Sequence, residues 1–413
     1  MKVLYFHQHF STPQGSSGTR SYEMARALLA RGHSVVMVCG SHGAGNTGVG
    51  EPFVSGVRRG VVDGIEVIEF ALPYSNKDGF VTRALTYFKF AARSVKLALT
   101  ETYDVLFATS TPLTAGIPGI FARWLRGKPF VFEVRDLWPE LPREMGAIKN
   151  PLVLTLMGWL EWLSYHSATR IVGLSPGIIR GIARRGIAAD RVRMIPNGCD
   201  LGIFGAKVEA WRPAEVGASD LMAVFAGTHG MANGLHAVLD AAAELKRRRR
   251  DDIKIVLIGD GKLKEPLRAR AHADSLDNVV FHAPVSKLRL AGLMESTDIG
   301  LQILANVPAF YYGTSPNKFF DYIAAGRPVL NNYPGWLAEM IAESRCGYAV
   351  APDDPVAFAD ALEHAANHRS ELVEAGRRAL ALATSRFDRA VLAADFVQWL
   401  EDAAALRAIL QAD

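Results

Sequence analysis

Two stretches of the chain follow the same order of strand, glycine-rich loop and helix. In the first, Lys2–Phe6 has the apolar character of a strand, a glycine and serine loop follows, and helical spacing of apolar residues begins at Arg20. In the second, the strand Met222–Ala226 precedes the loop Gly227–Gly234 and a helix from Leu235. A strand, loop and helix that lead into another strand form a βαβ unit, which implies a parallel sheet. The sequence therefore predicts two α/β domains.

Length and composition agree with two domains. A chain of 413 residues is too long for one compact core and suits two domains of about 200 residues each. Pro, Ala, Glu and Gly crowd residues 206–220, so we place the boundary there, with an N-terminal domain over 1–205 and a C-terminal domain over 206–387. The 49% hydrophobic and 21% charged content is typical of a soluble globular protein. We expect neither a signal peptide nor a membrane span.

Charge is divided unevenly along the chain. Residues 1–200 contain 23 Lys and Arg against 15 Asp and Glu, a net charge of +8, so the remaining residues contain 23 against 27, a net charge of −4. The basic half favours an anionic partner, whether a phosphorylated acceptor, a bilayer surface or nucleic acid. Taken with the family resemblance described below, we expect no nucleic acid partner. The three cysteines are odd in number and far apart, which fits a reducing cytoplasm and predicts no metal spacing.

The segment Gly313–Val329 reads as a turn followed by a short helix. Ser315 is a good N-cap, and Gly326 ends the helix. The free N–H groups of the first turn, beside the charge of Lys318, form a place where a phosphate could dock. Asp321 lies one turn further on, where its carboxylate could accept hydrogen bonds from a ribose. The alternative is an ordinary capped core helix with Asp321 in solvent.

This segment also carries a family resemblance. The order Pro316-x-Lys318-x-x-Asp321-Tyr322-x-Ala324-Ala325-Gly326-x-Pro328 resembles the donor-binding segment of retaining glycosyltransferases of family 4, which have the GT-B fold. Most members carry two glutamates eight positions apart, one near the sugar and one on the ribose. Here the second position is Asp321 and the first is Gly313, which has no carboxylate. The resemblance therefore supports nucleotide binding better than the usual contact to the sugar.

The resemblance covers nearly the whole chain and implies an architecture and a reaction. It implies two Rossmann-like domains that face each other across a cleft, with a final helix, about 388–413, that packs back on the first domain. The implied reaction moves a sugar from a nucleotide diphosphate sugar, with uridine as the base, to a hydroxyl with retention of configuration. We expect no cofactor and no metal.

Binding residues follow from the loops and from this resemblance. The loop N–H groups, Thr228 and Asn233 could hold phosphate oxygens after Gly227, with His229 as a further donor. The resemblance adds loop residues that face the diphosphate, acceptor or base in the family. The predicted donor-binding residues are Gly15, Gly18, Gly227, Thr228, His229, Asn233, Val285, Ser315, Asn317, Lys318 and Asp321.

The string Glu133–Glu140 begins in the last two residues of the predicted strand Pro129–Val134 and continues beyond it. Charged residues at the carboxyl end of a parallel strand lie where open α/β sheets bind their ligands. The string resembles a subgroup that builds bacterial surface polysaccharides on lipid-linked acceptors, including N-acetylfucosamine transferases. Family members often have a histidine where this chain has Arg135. The candidates are Arg135 as a charge stabiliser, Asp136 and Glu140 as acceptor base, and Lys318 for the departing diphosphate, while a structural Arg–Asp ion pair remains the alternative.

Two helices bear on a membrane partner. In 80–99, one arc is apolar and the other basic, and Phe90 and Leu97 lie among the charges. Such a face suits an anionic bilayer, which would place the protein peripherally on the inner face of the cytoplasmic membrane, but a core helix with a solvated basic face fits equally well. Residues 150–165 are apolar nearly all round, which favours simple burial.

Two rival functions stay open. One group of sugar-nucleotide epimerases shares this two-domain fold and needs no acceptor. A non-catalytic subunit that binds nucleotide sugars would explain the missing first glutamate and the arginine at position 135. Against that idea, both glycine loops, Lys318 and Asp321 are retained.

Overall fold

A computed structural model describes residues 1–15, 17–43, 45–74, 78–206 and 208–410. The chain forms two compact units. Unit 1 comprises Met1–Asn197, Gly313–Ser315 and the chain from Ala390 onward, whereas unit 2 comprises Gly198–Tyr312 and Pro316–Arg389. The division therefore lies before the Pro- and Gly-rich stretch 206–220.

Unit 1 is built on a sheet in the order β3-β4-β2-β1-β5-β6-β7-β8. Its strands are β1 (Lys2–Phe6), β2 (Ser34–Gly40), β3 (Val57–Val62), β4 (Ile65–Phe70), β5 (Val105–Thr109), β6 (Phe130–Val134), β7 (Arg170–Gly173) and β8 (Val192–Met194). All neighbours are parallel except β3, which forms a hairpin with β4 at the edge. Strand β3 was not predicted, because the glycines around it hide its short alternation of residues.

Unit 2 is built on a fully parallel sheet in the order β11-β10-β9-β12-β13-β14. Its strands are β9 (Leu221–Ala226), β10 (Ile253–Ile258), β11 (Val279–His282), β12 (Ile299–Gln302), β13 (Val329–Asn331) and β14 (Gly347–Ala349). The two sheets, parallel except for β3, confirm the predicted α/β class. Strands buried on both faces are nearly continuous apolar runs, which is why the sequence shows them clearly.

Helices connect these strands. They are α1 (Arg20–Ala30), α2 (Phe80–Thr100), α3 (Ile117–Arg126), α4 (Glu140–Glu144), α5 (Pro151–Ser167), α6 (Pro176–Arg184), α7 (Leu201–Phe204), α8 (His236–Arg247), α9 (Lys264–Ala273), α10 (Lys287–Ser296), α11 (Pro308–Gly313), α12 (Asn317–Ala324), α13 (Trp336–Ser344), α14 (Pro355–Asn367), α15 (Arg369–Arg386) and α16 (Arg389–Leu410). No helix in the described part of the chain is long and apolar enough to cross a membrane.

Helix α16 belongs to the core of unit 1, although it follows the whole of unit 2 in sequence. Phe396, Trp399 and Leu400 are buried with the side chains of β1, β5 and β7. The Trp399 indole N–H donates to the carbonyl of Ile171 in β7 at 3.2 Å. Phe396 also contacts the Phe107 ring of β5 edge to face, with 4.9 Å between the centroids. Unit 1 therefore needs residues from both ends of the chain to fill its core.

The strand order of each sheet reverses at one point. In unit 1 the chain leaves β1 towards β2 on one side and returns through β5 on the other. In unit 2 the corresponding pair is β9 and β12. Open α/β sheets bind their ligands beyond the carboxyl ends of the strands at such a point. In unit 1 such a point lies beside His7 and Arg135, and in unit 2 a separate one lies beside Gly227–His229.

Two helices are oriented differently from the prediction. In α2, Phe90 is fully buried and Leu97 packs against the core, whereas Phe88 is 59% exposed. Helix α5 is not simply buried, because Trp159 is 72% exposed. Periodicity identified both helices, but each has apolar residues on more than one side, so the pattern could not show which side faces the sheet.

Candidate functional site

The loop after β9 is held against the loop after β10 by backbone contacts. The His229 N–H donates to the Asp260 carbonyl at 2.9 Å, and the His229 carbonyl accepts from the Leu263 N–H at 2.9 Å. Gly259 makes this close approach possible, since a Cβ there would lie 1.8 Å from the Gly227 carbonyl oxygen and its φ is +149°. The loop therefore has a fixed backbone at the carboxyl edge of the sheet.

Lys318 lies against this loop. From the first turn of α12, its Nζ donates to Asn233 Oδ1 at 3.1 Å, and the Asn233 Nδ2 donates to the Thr228 carbonyl at 2.7 Å. The ammonium group also lies 5.0 Å from the centroid of the Phe225 ring. A Cβ at Gly227 would lie 3.1 Å from the lysine Cε. The structure thus brings together four predicted donor-binding residues within unit 2.

Burial lowers the pKa of Lys318 to about 8, opposed by the charge of Asp321. A lysine below its usual pKa lacks full solvation of its charge, so an anionic ligand beside it would gain a strong interaction. Asn233 offers a neutral amide oxygen rather than a carboxylate. The site therefore has a cation whose charge is not neutralised by that partner.

His229 has a fully buried side chain. Its ring lies 6.2 Å from the Phe225 ring and 6.2 Å from the Phe281 ring, and neither ring nitrogen has a hydrogen-bond partner among the described residues. Burial lowers its pKa to about 4. The imidazole is therefore neutral at neutral pH and carries one N–H donor and one acceptor nitrogen.

Asp321 joins a buried network of four charges. Lys287 Nζ lies 3.2 Å from Asp321 Oδ1, and both Lys287 and Arg389 form ion pairs with Asp200. Burial raises the pKa of Asp321, and the Lys287 charge opposes that shift. The network is neutral in sum, which is how buried charges are tolerated. Of the alternative of an ordinary core helix, the solvated Asp321 is wrong, whereas the burial of Phe319, Phe320, Tyr322 and Ile323 is confirmed.

Ser315 does not cap α12. The helix begins at Asn317 with Pro316 as its N-cap, and no side chain caps it. The Ser315 hydroxyl instead accepts from the Asn197 N–H at 3.0 Å. The predicted cap is therefore wrong, because this hydroxyl is used by another loop of unit 1.

Val285 is partly buried next to Ser286, which caps α10 by accepting from the Arg289 N–H at 3.3 Å.

Gly15 and Gly18 lie in the loop after β1. The Gly15 N–H donates to the Thr12 carbonyl at 3.0 Å, and Gly18 is exposed just before α1. Ser16 is outside the described residues. Gly313, at the position without the family carboxylate, has room for a side chain, since a Cβ there would meet nothing within 4 Å.

Arg135 and Asp136 lie together at the carboxyl edge of the unit 1 sheet. The Arg135 N–H donates to Ser110 Oγ at 2.9 Å, and its guanidinium Nη1 lies 3.4 Å from His7 Nε2. Burial raises the pKa of Asp136, while the charge of Arg135 and a hydrogen bond with Thr111 oppose the shift. A raised carboxyl pKa favours the role of a general base more than that of a spectator.

Glu140 is held elsewhere in unit 1. Its Oε1 lies 3.8 Å from Nη2 of Arg185, which also pairs with the buried Glu161 at 2.5 Å. Burial, together with the Glu140 charge, raises the pKa of Glu161 to about 7. Of the two carboxylates predicted as acceptor base, Asp136 contacts the Arg135 group, whereas Glu140 belongs to this second cluster between α4, α5 and α6.

The residues that follow β1 form a polar group that the sequence analysis did not select for binding. His7 Nδ1 and both amide atoms of Gln8 are buried and have no partner among the described residues. Burial holds the pKa of His7 well below its usual range and lowers that of His9 to about 3. These side chains are therefore neutral hydrogen-bonding groups near Arg135. Their position directly after a parallel strand was the signal that could have identified them.

A buried ion pair supports this edge of the sheet. Arg20 Nε and Nη2 donate to Glu133 Oε2 at 2.9 and 2.8 Å, and Thr109 donates to Oε1 at 2.8 Å. Arg20 also donates to the carbonyls of Ile195 and Pro196. Each partner is fully satisfied, so the pair fixes the start of α1 and the ends of β5 and β6 relative to one another.

Both units match known sequence families. Residues 15–198 match the family described as glycosyl transferase 4-like domain, and residues 221–368 match the family described as glycosyl transferases group 1. Among curated proteins, a D-inositol 3-phosphate glycosyltransferase of Xylanimonas cellulosilytica is 27% identical over 49% of this chain and 48% of its own length. The D-rhamnosyltransferase WbpZ of Pseudomonas aeruginosa is 26% identical over 56% of this chain and 59% of its own. The chain thus matches about half the length of these relatives.

Solved structures share the fold. Sucrose-phosphate synthase from Thermosynechococcus elongatus has a TM-score of 0.73 at 15% identity and covers 100% of both chains. HepE from Anabaena in complex with UDP-glucose has a TM-score of 0.69 at 16% identity over 97% of this chain and 100% of its own. WaaG, a glycosyltransferase involved in lipopolysaccharide biosynthesis, has a TM-score of 0.68 at 16% identity over 96% and 99%.

These findings show that the chain has the GT-B fold, as predicted, and that each of its units matches a glycosyltransferase domain family. The two domain matches, taken with the curated relatives, support the predicted resemblance to family 4 glycosyltransferases.

Proposed function

We propose that this protein transfers a sugar from a nucleotide diphosphate sugar to a lipid-linked or saccharide acceptor, with retention of configuration, in the synthesis of a bacterial surface polysaccharide. The observation that carries the proposal is the contact of Lys318 with the loop Gly227–Asn233. A fixed cation and a fixed loop beyond the carboxyl end of β9 suit a diphosphate.

Relatives support the choice of substrates. A HepE structure contains UDP-glucose, so we propose a uridine diphosphate donor here. The description of WaaG, which names lipopolysaccharide biosynthesis, supports a role in surface polysaccharide synthesis. The string Glu133–Glu140 also resembles the corresponding segment of enzymes that act on lipid-linked acceptors. The simplest such acceptor is a polyprenyl diphosphate sugar.

The reaction requires the diphosphate to leave as negative charge develops on its oxygens. We propose that Lys318 and the N–H groups of the loop after β9 meet this charge without a metal ion, because a fixed cation and fixed donors cost no reorganisation when the bond breaks. On the acceptor side, Asp136 would take the hydroxyl proton, with Arg135 as the neighbouring cation. Removal of one such fixed donor typically lowers turnover about 10²- to 10³-fold.

The first test is calorimetric titration with UDP, GDP and ADP, followed by turnover of the matching sugar donors on a polyprenyl diphosphate sugar. Selective binding of UDP with transfer would establish the class of reaction. Binding without transfer or slow donor hydrolysis across a broad set of acceptors would indicate a non-catalytic subunit. An altered sugar nucleotide formed from the donor alone would indicate an epimerase.

The second test is Lys318→Ala, with Lys254→Ala as the matched control. Lys254 is a partly buried lysine in the same domain, but it lies at the amino end of β10, away from the loops. We expect turnover to fall about 10²-fold for Lys318→Ala and to stay within about twofold for Lys254→Ala. Unchanged turnover in a folded Lys318→Ala protein would remove Lys318 from the mechanism.

A further inference from the structure

Three helices of unit 1, α2, α3 and α5, lie on one face of its sheet. Each belongs to a connection that runs in the same direction across the sheet, and right-handed crossovers place such helices on the same side. Helix α3 lies between the other two. Arg126 of α3 donates to the carbonyls of Ala98 and Glu101 at the end of α2, and Trp124 donates to Ser167 Oγ at the end of α5.

Helix α5 has an exposed apolar stripe. Leu152, Leu156, Trp159 and Leu163 follow helical spacing, so they lie on the same side of the helix. Leu152, Leu156 and Trp159 are each more than 60% exposed. The opposite side of the helix packs inward through residues such as Tyr165, which is 1% exposed. A leucine and tryptophan stripe of this length is more than the single exposed apolar residues found on most protein surfaces.

The neighbouring helices extend the stripe. In α2, Val81, Leu85 and Phe88 are exposed on consecutive turns of the helix. In α3, Trp124 and Leu125 are 68% and 66% exposed. We refer to the exposed apolar residues of α2, α3 and α5 together as the apolar face.

Charge around the apolar face has one sign. The three helices contain six lysines and arginines and a single acid, Glu161. Glu161 is buried and paired with Arg185, so it adds no exposed negative charge. Lys89 and Lys96 are exposed on α2. Exposed acids begin only beyond the helices, as at Glu144 before α5.

We propose that the apolar face docks this protein on the surface of an anionic bilayer. Leucine and phenylalanine side chains would enter the boundary between headgroups and acyl chains, and tryptophans prefer that boundary because they have an apolar ring and a polar N–H. The exposed lysines would contact anionic headgroups. A symmetric contact with a second copy of the chain would instead bring these cations against one another, which disfavours self-association.

Docking by this face goes beyond the proposed function and does not require it. In the arrangement predicted from the sequence, the helix 80–99 contacts the bilayer alone. The apolar face instead gives a surface that three helices share. It also fits a lipid-linked acceptor, since an enzyme on the bilayer would meet such a substrate at its headgroup. Binding to vesicles is measured without nucleotide or acceptor, so its outcome is separate from that of the transfer assays.

The test is co-sedimentation of the full chain with vesicles. One set contains phosphatidylcholine alone and the other contains phosphatidylcholine mixed with phosphatidylglycerol. We expect binding to the mixed vesicles, weaker binding to phosphatidylcholine, and loss of binding as salt is added. The double variant Leu156→Glu/Trp159→Glu should bind the mixed vesicles at least about tenfold more weakly, because two anchors are replaced by charges of the wrong sign.

The matched control is the double variant Val373→Glu/Leu380→Glu. Both residues are exposed apolar residues of α15 in unit 2, so this variant has the same added charge at a different place. We expect it to bind vesicles like the unaltered protein. Equal loss of binding in both variants would mean that net charge, and not the apolar face, controls binding.

Tryptophan emission gives a second measurement. Trp159 is largely exposed, so its transfer into a bilayer should shift emission to shorter wavelength, and Trp159→Phe should reduce that shift while binding persists. Absence of binding to the mixed vesicles would overturn the proposal. So would a concentration-dependent dimer that Leu156→Glu/Trp159→Glu abolishes, in a protein that does not bind vesicles, because a second copy would then cover the face.

Discussion

The pKa of Lys318 leads to a prediction about how nucleotide binding depends on pH. The structure lowers this pKa to about 8, so the side chain loses its charge within the range in which the protein can be assayed. Only the ammonium form can make a charge-assisted hydrogen bond to a diphosphate. Below this pKa the lysine is charged and binding is strong, and binding should weaken as the pH rises through the pKa.

The size of the effect follows from the strength of one charged hydrogen bond. Such a bond contributes about 1.5–3 kcal/mol, which is about ten- to hundredfold in affinity. From one pH unit below the pKa to one unit above it, the charged fraction falls about tenfold. Allowing for the rise in pKa when the diphosphate binds, the advantage of the lysine should fall about five- to ninefold over that range.

Calorimetric titration with UDP across this pH range is the assay, and Lys318→Met is the reference protein. Methionine has similar length and no charge, so titration of the nucleotide itself affects both proteins and cancels in the ratio of their affinities. We expect the ratio to favour the lysine protein at low pH and to decline through the pKa. A ratio that stays constant with pH, or one close to unity throughout, would refute the assignment of Lys318 to the diphosphate.

Three further predictions concern the supports of the site. Glu133→Gln removes the charge partner of the buried Arg20 and should lower the free energy of unfolding, measured by urea denaturation, by about 3–5 kcal/mol. The control Glu66→Gln alters the exposed pair with Arg59 and should lower it by less than about 1 kcal/mol. Similar losses in both variants would contradict the structural role of the buried pair. Phe396→Ala should lower the free energy of unfolding by about 3–5 kcal/mol, because α16 fills the core of unit 1. The control Val391→Ala, on the exposed side of the same helix, should change it by less than about 0.5 kcal/mol. An equally small effect of both variants would mean that α16 is not part of the core. Gly259→Ala should weaken UDP binding about tenfold or more, because the added Cβ displaces the Gly227 carbonyl and its loop. The control Gly202→Ala adds a Cβ in open space and should leave UDP binding unchanged. Unaltered UDP affinity in Gly259→Ala would mean that this loop does not bind the donor.

Strands were predictable from the sequence because they are buried on both faces. Lys2–Phe6 has the same bounds in the prediction and in the structure, and the predicted strand Met222–Ala226 differs from β9 by one residue at its start. Parallel pairing followed from the connecting helices. Even so, periodicity could not orient α2, since Phe88 and Phe90 are two positions apart and the structure buries the one that lies among the charged residues. The decision depended on packing against strands distant in sequence.

The candidate site was predictable in part for the same reason. Lys318 and the loop Gly227–Asn233 were selected separately, and the structure brings them into contact. The role of Asp321 in a buried network could not be foreseen, because Asp200, Lys287 and Arg389 come from remote parts of the chain. His7 was not predicted as a site residue, because it becomes a neighbour of Arg135 only in the folded sheet.

The place of α16 has a consequence during synthesis. Unit 1 starts at the first residue, yet Phe396 and Trp399 leave the ribosome only after all of unit 2 has been made. At about 5–20 residues per second, the stretch between Asn197 and Ala390 takes about 10–40 s to translate. During that interval the nascent first unit exposes the apolar groove that α16 will fill, whereas unit 2 can complete its own sheet. The unit that is begun first is therefore the last to complete its core.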